Sequence, residues 1–429
     1  MRQSKILIGL VAFGMAATAS AQSTAITGAT VHTMGPQGTI ENATIVIDNG
    51  HFVSVSPGGA APDGAETIDA SGKIITPGLF TPIGWLGLVE VPLSGNPIDS
   101  MQRGEEFTAS FDIADAYNPR STLIAVNRIE GVTRAIITPS PGYPDESGSY
   151  GSVLAGLAAM VNLGGGDDSL ERRSVAMMVS LGQGGSGLAG GSRAGAVLAL
   201  RGALDEALSY RNDPGEREDY KLSLSDLNAL QGVLSGHVPL FVSVNRASDI
   251  LVLINLVEKY GVRAIISGGS EAWMVAEELA AANIPVVLAP QDILPGNFDR
   301  INASRQSAAL LADAGVTIAF ADGQSQTHNA RNITQSAGNA VAFGLSGDAA
   351  LHAITLAPAQ IFGVADRVGS IEVGKEADVV IWPADPLELT SYPEQVFIKG
   401  NAVEMTSRQT LLRDRYLQTD SDKPPAYRK

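Results

Sequence analysis

Cysteine is absent from the 429-residue sequence, and histidine occurs only five times. The lack of cysteine excludes a disulfide framework, a thiolate nucleophile and a metal centre with thiolate ligands. The scarcity of histidine leaves few candidates for imidazole-based catalysis or metal binding. Any site chemistry must therefore come mainly from carboxylates, hydroxyls, amides and a small number of imidazoles.

Basic charge is also scarce, because 29 lysines and arginines stand against 45 acidic residues and the formal net charge is −16. A nucleic-acid-binding protein needs cationic groups for the phosphates, so this balance argues against such a partner. The chain also lacks the GxxxxGK[ST] loop of phosphate-binding NTPases and the GxSxG elbow of serine hydrolases. Beyond the N-terminal segment, no apolar run is long enough to predict a membrane span.

The first 21 residues have the three parts of a secretory signal peptide. Arg2 and Lys5 accompany an apolar run over residues 6–17, and the small residues 19–21 (Ala-Ser-Ala) form a cleavage site. The apolar run is too short to cross a bilayer. We therefore expect cleavage near Ala21 and a periplasmic or secreted mature protein.

β-Strand patterns with turn signals occur at both ends of the chain. Asn49-Gly50 is a hairpin turn signal between two of these strands. Because a small antiparallel sheet has edges that need partners, we predict that residues 22–76 and 370–405 pack together as one composite β-sandwich. The segments that carry the pattern are 26–31, 43–47, 51–55, 368–386 and 395–403.

Between the two ends, strand patterns alternate with amphipathic helix patterns, which is typical of βαβ units in a parallel sheet. We predict an α/β fold with a (β/α)8 TIM-like barrel over residues 77–369, followed by a charged tail over 406–429. Two glycine-rich stretches, 162–168 and 182–192, are predicted to be flexible loops over the barrel mouth. The clearest patterns are strands at 238–244, 262–267, 284–290 and 316–322, and helices at 113–131, 192–211, 248–260, 271–283 and 304–315.

Two longer stretches carry a family signature. Residues 74–91 read IITPGLFTPIGWLGLVEV, and residues 351–387 read LHAITLAPAQIFGVADRVGSIEVGKEADVVIWPADPL. They resemble the first barrel strand and the last helix and strand pair of the imidazolonepropionase-like branch of the amidohydrolase superfamily. The resemblance implies metal-dependent hydrolysis of C–N bonds in cyclic amides or peptide-like substrates, with zinc or another divalent metal as cofactor.

The same resemblance implies where the metal ligands of the family should lie, and this chain has other residues there. Imidazoles are expected on strands one, five and six, and a carboxylate on strand eight, where Asp322 is kept. Serine and asparagine are poor zinc ligands, and zinc sites use three or four protein ligands. We therefore predict that the binuclear site is degenerate and that no metal cofactor is bound. The substituted positions are Thr81, Ile83, Trp85, Ser243, Asn245 and Gly268.

The polar groups that remain in this region are candidates for binding or for residual catalysis. His328 follows Asp322 in a polar loop, and an Asp–His pair can act as a general base without a metal. Arg246 is kept from the family pattern after strand five and could contact Asp322 or an anionic ligand. The predicted binding residues are Trp85, Ser243, Asn245, Arg246 and Gly268; the other histidines, His32, His51, His237 and His352, are predicted to be structural.

Two functional hypotheses follow from these residues. The first is an exported amidohydrolase-family protein that has become a non-catalytic partner or binding subunit. The alternative is an active amidohydrolase that acts on non-peptide or dipeptide C–N bonds through a relocated site around Asp322 and His328. The expected partners are a metal-competent amidohydrolase paralogue and a small-molecule ligand, in an oligomer, with no nucleic acid and no membrane span.

Overall fold

The computed structural model describes residues 23–91, 98–101, 107–141, 151–214, 219–292, 294–321 and 327–417. The predicted signal peptide and the end of the predicted tail, residues 418–429, lie outside these ranges. Within them, no helix combines the length and the apolar character that a membrane crossing requires.

Strands and helices alternate along most of the described chain. The strands are β1 Thr24–His32, β2 Thr39–Asp48, β3 His51–Pro57, β4 Glu66–Asp69, β5 Ile74–Pro77, β6 Leu79–Thr81, β7 Val132–Ile137, β8 Leu154–Asn162, β9 Leu170–Ser180, β10 Leu240–Val244, β11 Ala264–Gly268, β12 Val286–Leu288, β13 Ile318–Phe320, β14 Val379–Trp382, β15 Gln395–Ile398 and β16 Asn401–Ala402. The helices are α1 Thr122–Arg128, α2 Gly182–Leu188, α3 Arg193–Asn212, α4 Leu224–Leu234, α5 Ala247–Tyr260, α6 Ala276–Ala281, α7 Ser307–Asp313, α8 Ile333–Ala342, α9 Gly347–Ala353, α10 Leu356–Ile361 and α11 Arg408–Leu417.

The two ends of the chain form one hydrogen-bonded sheet, in the order β16-β15-β14-β5-β1-β2-β3 with β4 beside β1. The join is the antiparallel pair of β5 and β14, in which Pro77 lies opposite Val379 and Ile74 opposite Trp382. Asn49 and Gly50 both have positive φ, as the tight turn between β2 and β3 requires. The prediction that strands from both ends of the chain combine is confirmed, and they form one sheet separate from that of the barrel.

The middle of the chain forms a nearly closed barrel sheet of eight strands, β6 to β13 in chain order, among the described residues. The predicted barrel is therefore confirmed, with one departure from the regular pattern. β8 runs antiparallel to both β7 and β9. The reason is its short connection, since residues 163–169 alone join β8 to β9 and a parallel crossover needs about a dozen residues or more.

The direction of β8 corrects the expectations for the glycine-rich stretches. Asn162 lies opposite Arg134, near the start of β7, so residues 162–168 are at the N-terminal edge of the barrel rather than at its mouth. Residues 182–192 do follow a strand end at the mouth, but Gly182–Leu188 forms the helix α2 instead of a flexible loop. The predicted helix over 113–131 is also divided, into a 3₁₀ turn at Ile113–Ala116 and α1, on either side of Pro119.

The N-terminal end of the barrel is closed by α10 and the residue after it. The Phe362 ring lies 5.8 Å from the Phe241 ring and 6.5 Å from the Phe80 ring, measured between centroids. These rings belong to a buried cluster that also contains Met178 and Ile265, the inward-facing residues of neighbouring strands. The C-terminal family motif therefore supplies the plug of the barrel.

A buried charge network joins the barrel to the composite sheet. The guanidinium of Arg134 is 1% exposed; its Nε donates to Asp378 at 2.7 Å and its Nη2 to Glu376 at 2.6 Å, and Nη1 pairs with Glu171. Burial alone would lower the pKa of Arg134, but these three carboxylates raise it above its ordinary value. Arg367 and Lys399 complete the set, so three cations balance three anions. The Gly-Lys-Glu-Ala-Asp motif thus acts through Glu376 and Asp378 as the electrostatic link between the domains.

Candidate functional site

A layer of hydroxyl groups lines the barrel just below its mouth. Ser180, Ser243 and Ser267 lie side by side in the register of β9, β10 and β11. Each comes two residues after an inward-facing residue of the buried cluster, so each faces the barrel interior. The mouth of this barrel therefore presents small neutral groups where strands four, five and six end.

The first barrel strand contributes apolar contacts instead of ligands. Ile83 is 4% exposed and packs in the interior cluster, whereas Trp85 is partly buried against the larger cluster between strands and helices. The Thr81 hydroxyl donates to the backbone oxygen of Ile83 at 3.2 Å. None of these three side chains offers a nitrogen lone pair or a carboxylate to a metal.

The ends of strands five and six are tied together by a hydrogen-bonded turn. Asn245 Oδ1 accepts from the Ser270 hydroxyl at 3.0 Å, so this amide oxygen is already engaged. Gly268 has φ +97°, a conformation that residues with a side chain rarely adopt, and a Cβ there would lie 2.6 Å from Asn245 Oδ1. A side chain at position 268 would therefore be strained and would require the Asn245 side chain to move.

Glu271 is a buried carboxylate near the mouth that sequence reasoning did not single out. It is 4% exposed and accepts from the backbone nitrogens of Ala247 and Asn302 and from Asn302 Nδ2, each at 3.1 Å. Glu271 therefore provides an acceptor for the Ala247 backbone N–H in the first turn of α5, which has no acceptor within the helix. The signal was present in the Ser-Glu-Ala sequence after strand six, where the family pattern also has glutamate.

Arg246, the predicted anion contact, is the exposed residue immediately before α5. Its guanidinium makes no hydrogen bond to any residue that the structure describes, although it attracts the Asp249 carboxylate one turn later. The predicted contact of Arg246 with Asp322 or with an anionic ligand stays a prediction.

An ion cluster at the mouth also went unnoticed in the sequence. Asp299 is 3% exposed, accepts from the Gln183 backbone nitrogen at 2.7 Å and pairs with Arg193. Arg193 Nε lies 3.2 Å from Asp249 Oδ2. Burial raises the pKa of Asp249; attraction to Arg193 opposes this effect and repulsion from Asp299 adds to it. The cluster holds α2, α3, α5 and the loop before α7 together.

The predicted catalytic pair cannot be placed from this structure. Asp322 lies outside the described residues. The backbone of His328 belongs to the 3₁₀ helix Thr327–Asn332, but its side chain lies outside what is described. The Asp322–His328 hypothesis therefore stays a prediction.

The residues that the structure describes at the ends of strands four, five and six do not fit the divalent metal that the resemblance implies. They offer three serine hydroxyls, one amide that is already hydrogen-bonded, and a glycine, whereas zinc sites use imidazole, thiolate or carboxylate groups. Across the described ranges, no group of three or more histidine, aspartate or glutamate side chains could hold a metal ion. We therefore derive no reaction step through a metal.

Comparisons with known proteins agree with the architecture. Residues 247–403 match the model of the amidohydrolase family. Amidohydrolase tasK of Hapsidospora irregularis is 23% identical over 397 residues, which are 83% of this chain but only 39% of that protein. This chain thus spans well under half the length of that relative.

Solved structures resemble the chain over most of its length. A crystal structure of an amidohydrolase from Thermotoga maritima MSB8 has a TM-score of 0.79 and 24% identity, covering 89% of this chain and 99% of that one. The crystal structure of a prolidase complexed with N-methylphosphonate-L-proline has a TM-score of 0.55 and 17% identity, and it covers 89% of this chain and 100% of that one. These likenesses establish the fold. The family model, which matches residues 247–403, agrees with that fold.

Proposed function

We propose that this protein is an exported, non-catalytic member of the amidohydrolase superfamily that acts as a binding or partner subunit. The observation that carries the proposal is the pair of Gly268 and Asn245. A side chain at position 268 would be strained and would meet Asn245, and the Asn245 side-chain oxygen already accepts a hydrogen bond from Ser270. The inward-facing serines support the same view, because a serine hydroxyl is a poor zinc ligand. The sequence of residues 1–21 supports export.

The loop between β12 and α7 is our candidate for the surface that contacts the partner. Leu294, Phe298 and Ile301 are 69%, 81% and 56% exposed, and the loop is anchored from below by the buried Asp299. Soluble proteins rarely expose several large apolar side chains together unless the surface binds something. We propose that this mouth surface docks onto a metal-competent amidohydrolase paralogue. In the relative from Hapsidospora irregularis, more chain lies outside the match than inside it, which is enough for a second such domain.

The first experiment is metal analysis of the purified full chain by mass spectrometry, after incubation with zinc and gel filtration. We expect far less than one metal ion per chain. The matched variant carries Asp322→Ala and His328→Ala and should give the same value. Stoichiometric metal in the natural chain, lost in the double variant, would refute the proposal and establish the relocated site.

The second experiment tests the partner. The chain is co-expressed with a metal-competent paralogue from the same organism, and the mass of the complex is measured by light scattering after gel filtration. We expect a stable complex that Phe298→Ser with Ile301→Ser disrupts. The control is Val373→Ser, which removes a side chain of similar exposure, 65%, from the composite sheet. Two separate, non-associating proteins would contradict the partner role.

The alternative of an active enzyme is tested on the same preparation. Turnover of N-acyl amino acids, dipeptides or cyclic imides by the isolated chain, abolished by Asp322→Ala, would overturn the non-catalytic assignment.

A further inference from the structure

A second cavity lies away from the barrel mouth, where the barrel meets the composite sheet. Its volume is about 260 Å³, and four segments of the chain form its walls. Glu130 comes from the turn after α1, Arg331 from the residues before α8, Trp382 from the end of β14, and Tyr392 from the loop that follows. Junctions between domains are frequent places for small-molecule sites.

The walls of this junction cavity are held in place by hydrogen bonds behind them. The Arg331 backbone nitrogen donates to the buried Asn127 side chain at 2.8 Å. Trp382 Nε1 donates to the buried Thr76 hydroxyl at 2.9 Å, and the Ser391 hydroxyl donates to the Ala384 carbonyl at 3.1 Å. A cavity built on such fixed positions binds a ligand with little ordering cost.

The junction cavity contains opposite charges, on Glu130 and Arg331, that do not form an ion pair with each other. Arg331 attracts the half-buried carboxylate of Glu130, yet the two form no ion pair, and neither side chain has a hydrogen-bond partner within the part of the chain that the structure describes. Burial raises the pKa of Glu130, and the attraction to Arg331 only partly offsets this. Both side chains are partly exposed, so a ligand that enters the cavity can supply a counter-charge to each of them.

The other residues that line the cavity indicate the charge, polarity and size of that ligand. Glu388 adds a second carboxylate at the rim, and Leu389 and Tyr392 are 64% and 63% exposed beside it. A guanidinium binds a carboxylate through charge-assisted hydrogen bonds, and carboxylates bind an ammonium group in the same way. The volume is below the usual range of about 300–1,000 Å³ for drug-sized ligands.

We propose that the junction cavity binds a small zwitterion, a free amino acid or a dipeptide, with its carboxylate on Arg331, its ammonium on Glu130 and Glu388, and its apolar side chain against Leu389 and Tyr392. This site is independent of the barrel mouth and of the presence or absence of catalysis there. A neutral sugar is disfavoured, because it would leave the opposite charges without counterparts.

The test is isothermal titration of the full chain with L-leucine and L-alanyl-L-leucine, compared with N-acetyl-L-leucine and L-leucinamide. N-Acetyl-L-leucine lacks the ammonium group, and L-leucinamide lacks the carboxylate. We expect a zwitterion to bind, and each analogue to bind at least about tenfold more weakly, because each loses a charge-assisted hydrogen bond.

Two variants test which side chain contacts the carboxylate of the ligand and which contacts its ammonium group. Arg331→Met should weaken L-leucine binding at least about tenfold and abolish the preference over L-leucinamide, whereas Glu130→Gln should reduce the preference over N-acetyl-L-leucine, because Glu388 remains. The control is Arg201→Met, which replaces an exposed arginine on α3. It should change neither the affinity for L-leucine nor the preference over the two analogues. The unfolding midpoint of each variant verifies that it is folded. Absence of zwitterion binding at millimolar concentration, equal binding of the analogues, binding that survives Arg331→Met, or binding of a neutral sugar alone would overturn the proposal.

Discussion

Replacing Arg134 by methionine is expected to destabilise the whole molecule, because this side chain is the centre of the charge network between the two domains. It is 1% exposed and contacts three carboxylates, two of which are at most 5% exposed. Methionine keeps much of the volume but removes the charge. Glu171, Glu376 and Asp378 would then face one another with only Arg367 and Lys399 in reach.

The expected cost follows from the burial of these carboxylates. Removing one partner of a buried ion pair destabilises proteins by about 3–5 kcal/mol, since an uncompensated charge is left inside. The assay is urea unfolding at pH 7, read as the difference in free energy of unfolding. The control, Arg173→Met, removes an arginine that is 47% exposed and pairs with Asp112 and Asp115. It should change the stability much less, because exposed ion pairs contribute little.

The pH dependence provides an independent check of the same reasoning. Burial tends to raise the pKa of Glu376, but Arg134 and Arg367 bring it below its ordinary value of 4.5. A lowered pKa in the folded state stabilises the protein above the unfolded pKa, and that contribution disappears as the pH falls through the folded value. The difference between the natural chain and Arg134→Met should therefore narrow below pH 4.5. A variant that matches Arg173→Met in stability at pH 7 would refute the argument.

Three further outcomes are expected. Gly268→Ala should destabilise the chain by about 1–3 kcal/mol in thermal unfolding, because its Cβ would clash with Asn245 and φ is positive; an unchanged midpoint would contradict the turn geometry. Glu271→Ala should cost about 1–3 kcal/mol by leaving the start of α5 without its acceptor, whereas equal stability would exclude that role. Burial lowers the pKa of His352 below 6.5, so stability should fall as the pH drops below 6.5, and His352→Gln should flatten that slope.

Much of the fold could be predicted because its signals are local. The hairpin at Asn49-Gly50 depends on two adjacent residues, and the end of α5 at Gly261 depends on one left-handed residue with φ 63°. The alternation of strands and helices from residue 238 onwards has the same local origin. The reversed β8 was missed because strand direction depends on pairing between strands, which hydrophobic periodicity does not encode.

The candidate site also has features that the sequence predicts and features that depend on tertiary packing. The absence of imidazoles at Ile83, Ser243 and Gly268 is a matter of residue identity and needed no coordinates. The salt bridge of Arg193 with Asp299 joins residues more than a hundred positions apart, and only packing brings them together. The hydroxyl layer below the mouth likewise depends on the register of three strands.

The sequence by itself determined the architecture and the donor atoms that stand at the strand ends, since periodicity, turn residues and donor atoms are properties of the residues themselves. Only the tertiary structure decided how the residues at these strand ends pack, because the close approach of Gly268 and Asn245 joins the ends of two neighbouring strands. It also decided that Arg134 joins the two domains and that Glu130 and Arg331 share a cavity, since each contact closes a long loop of chain that no local pattern specifies.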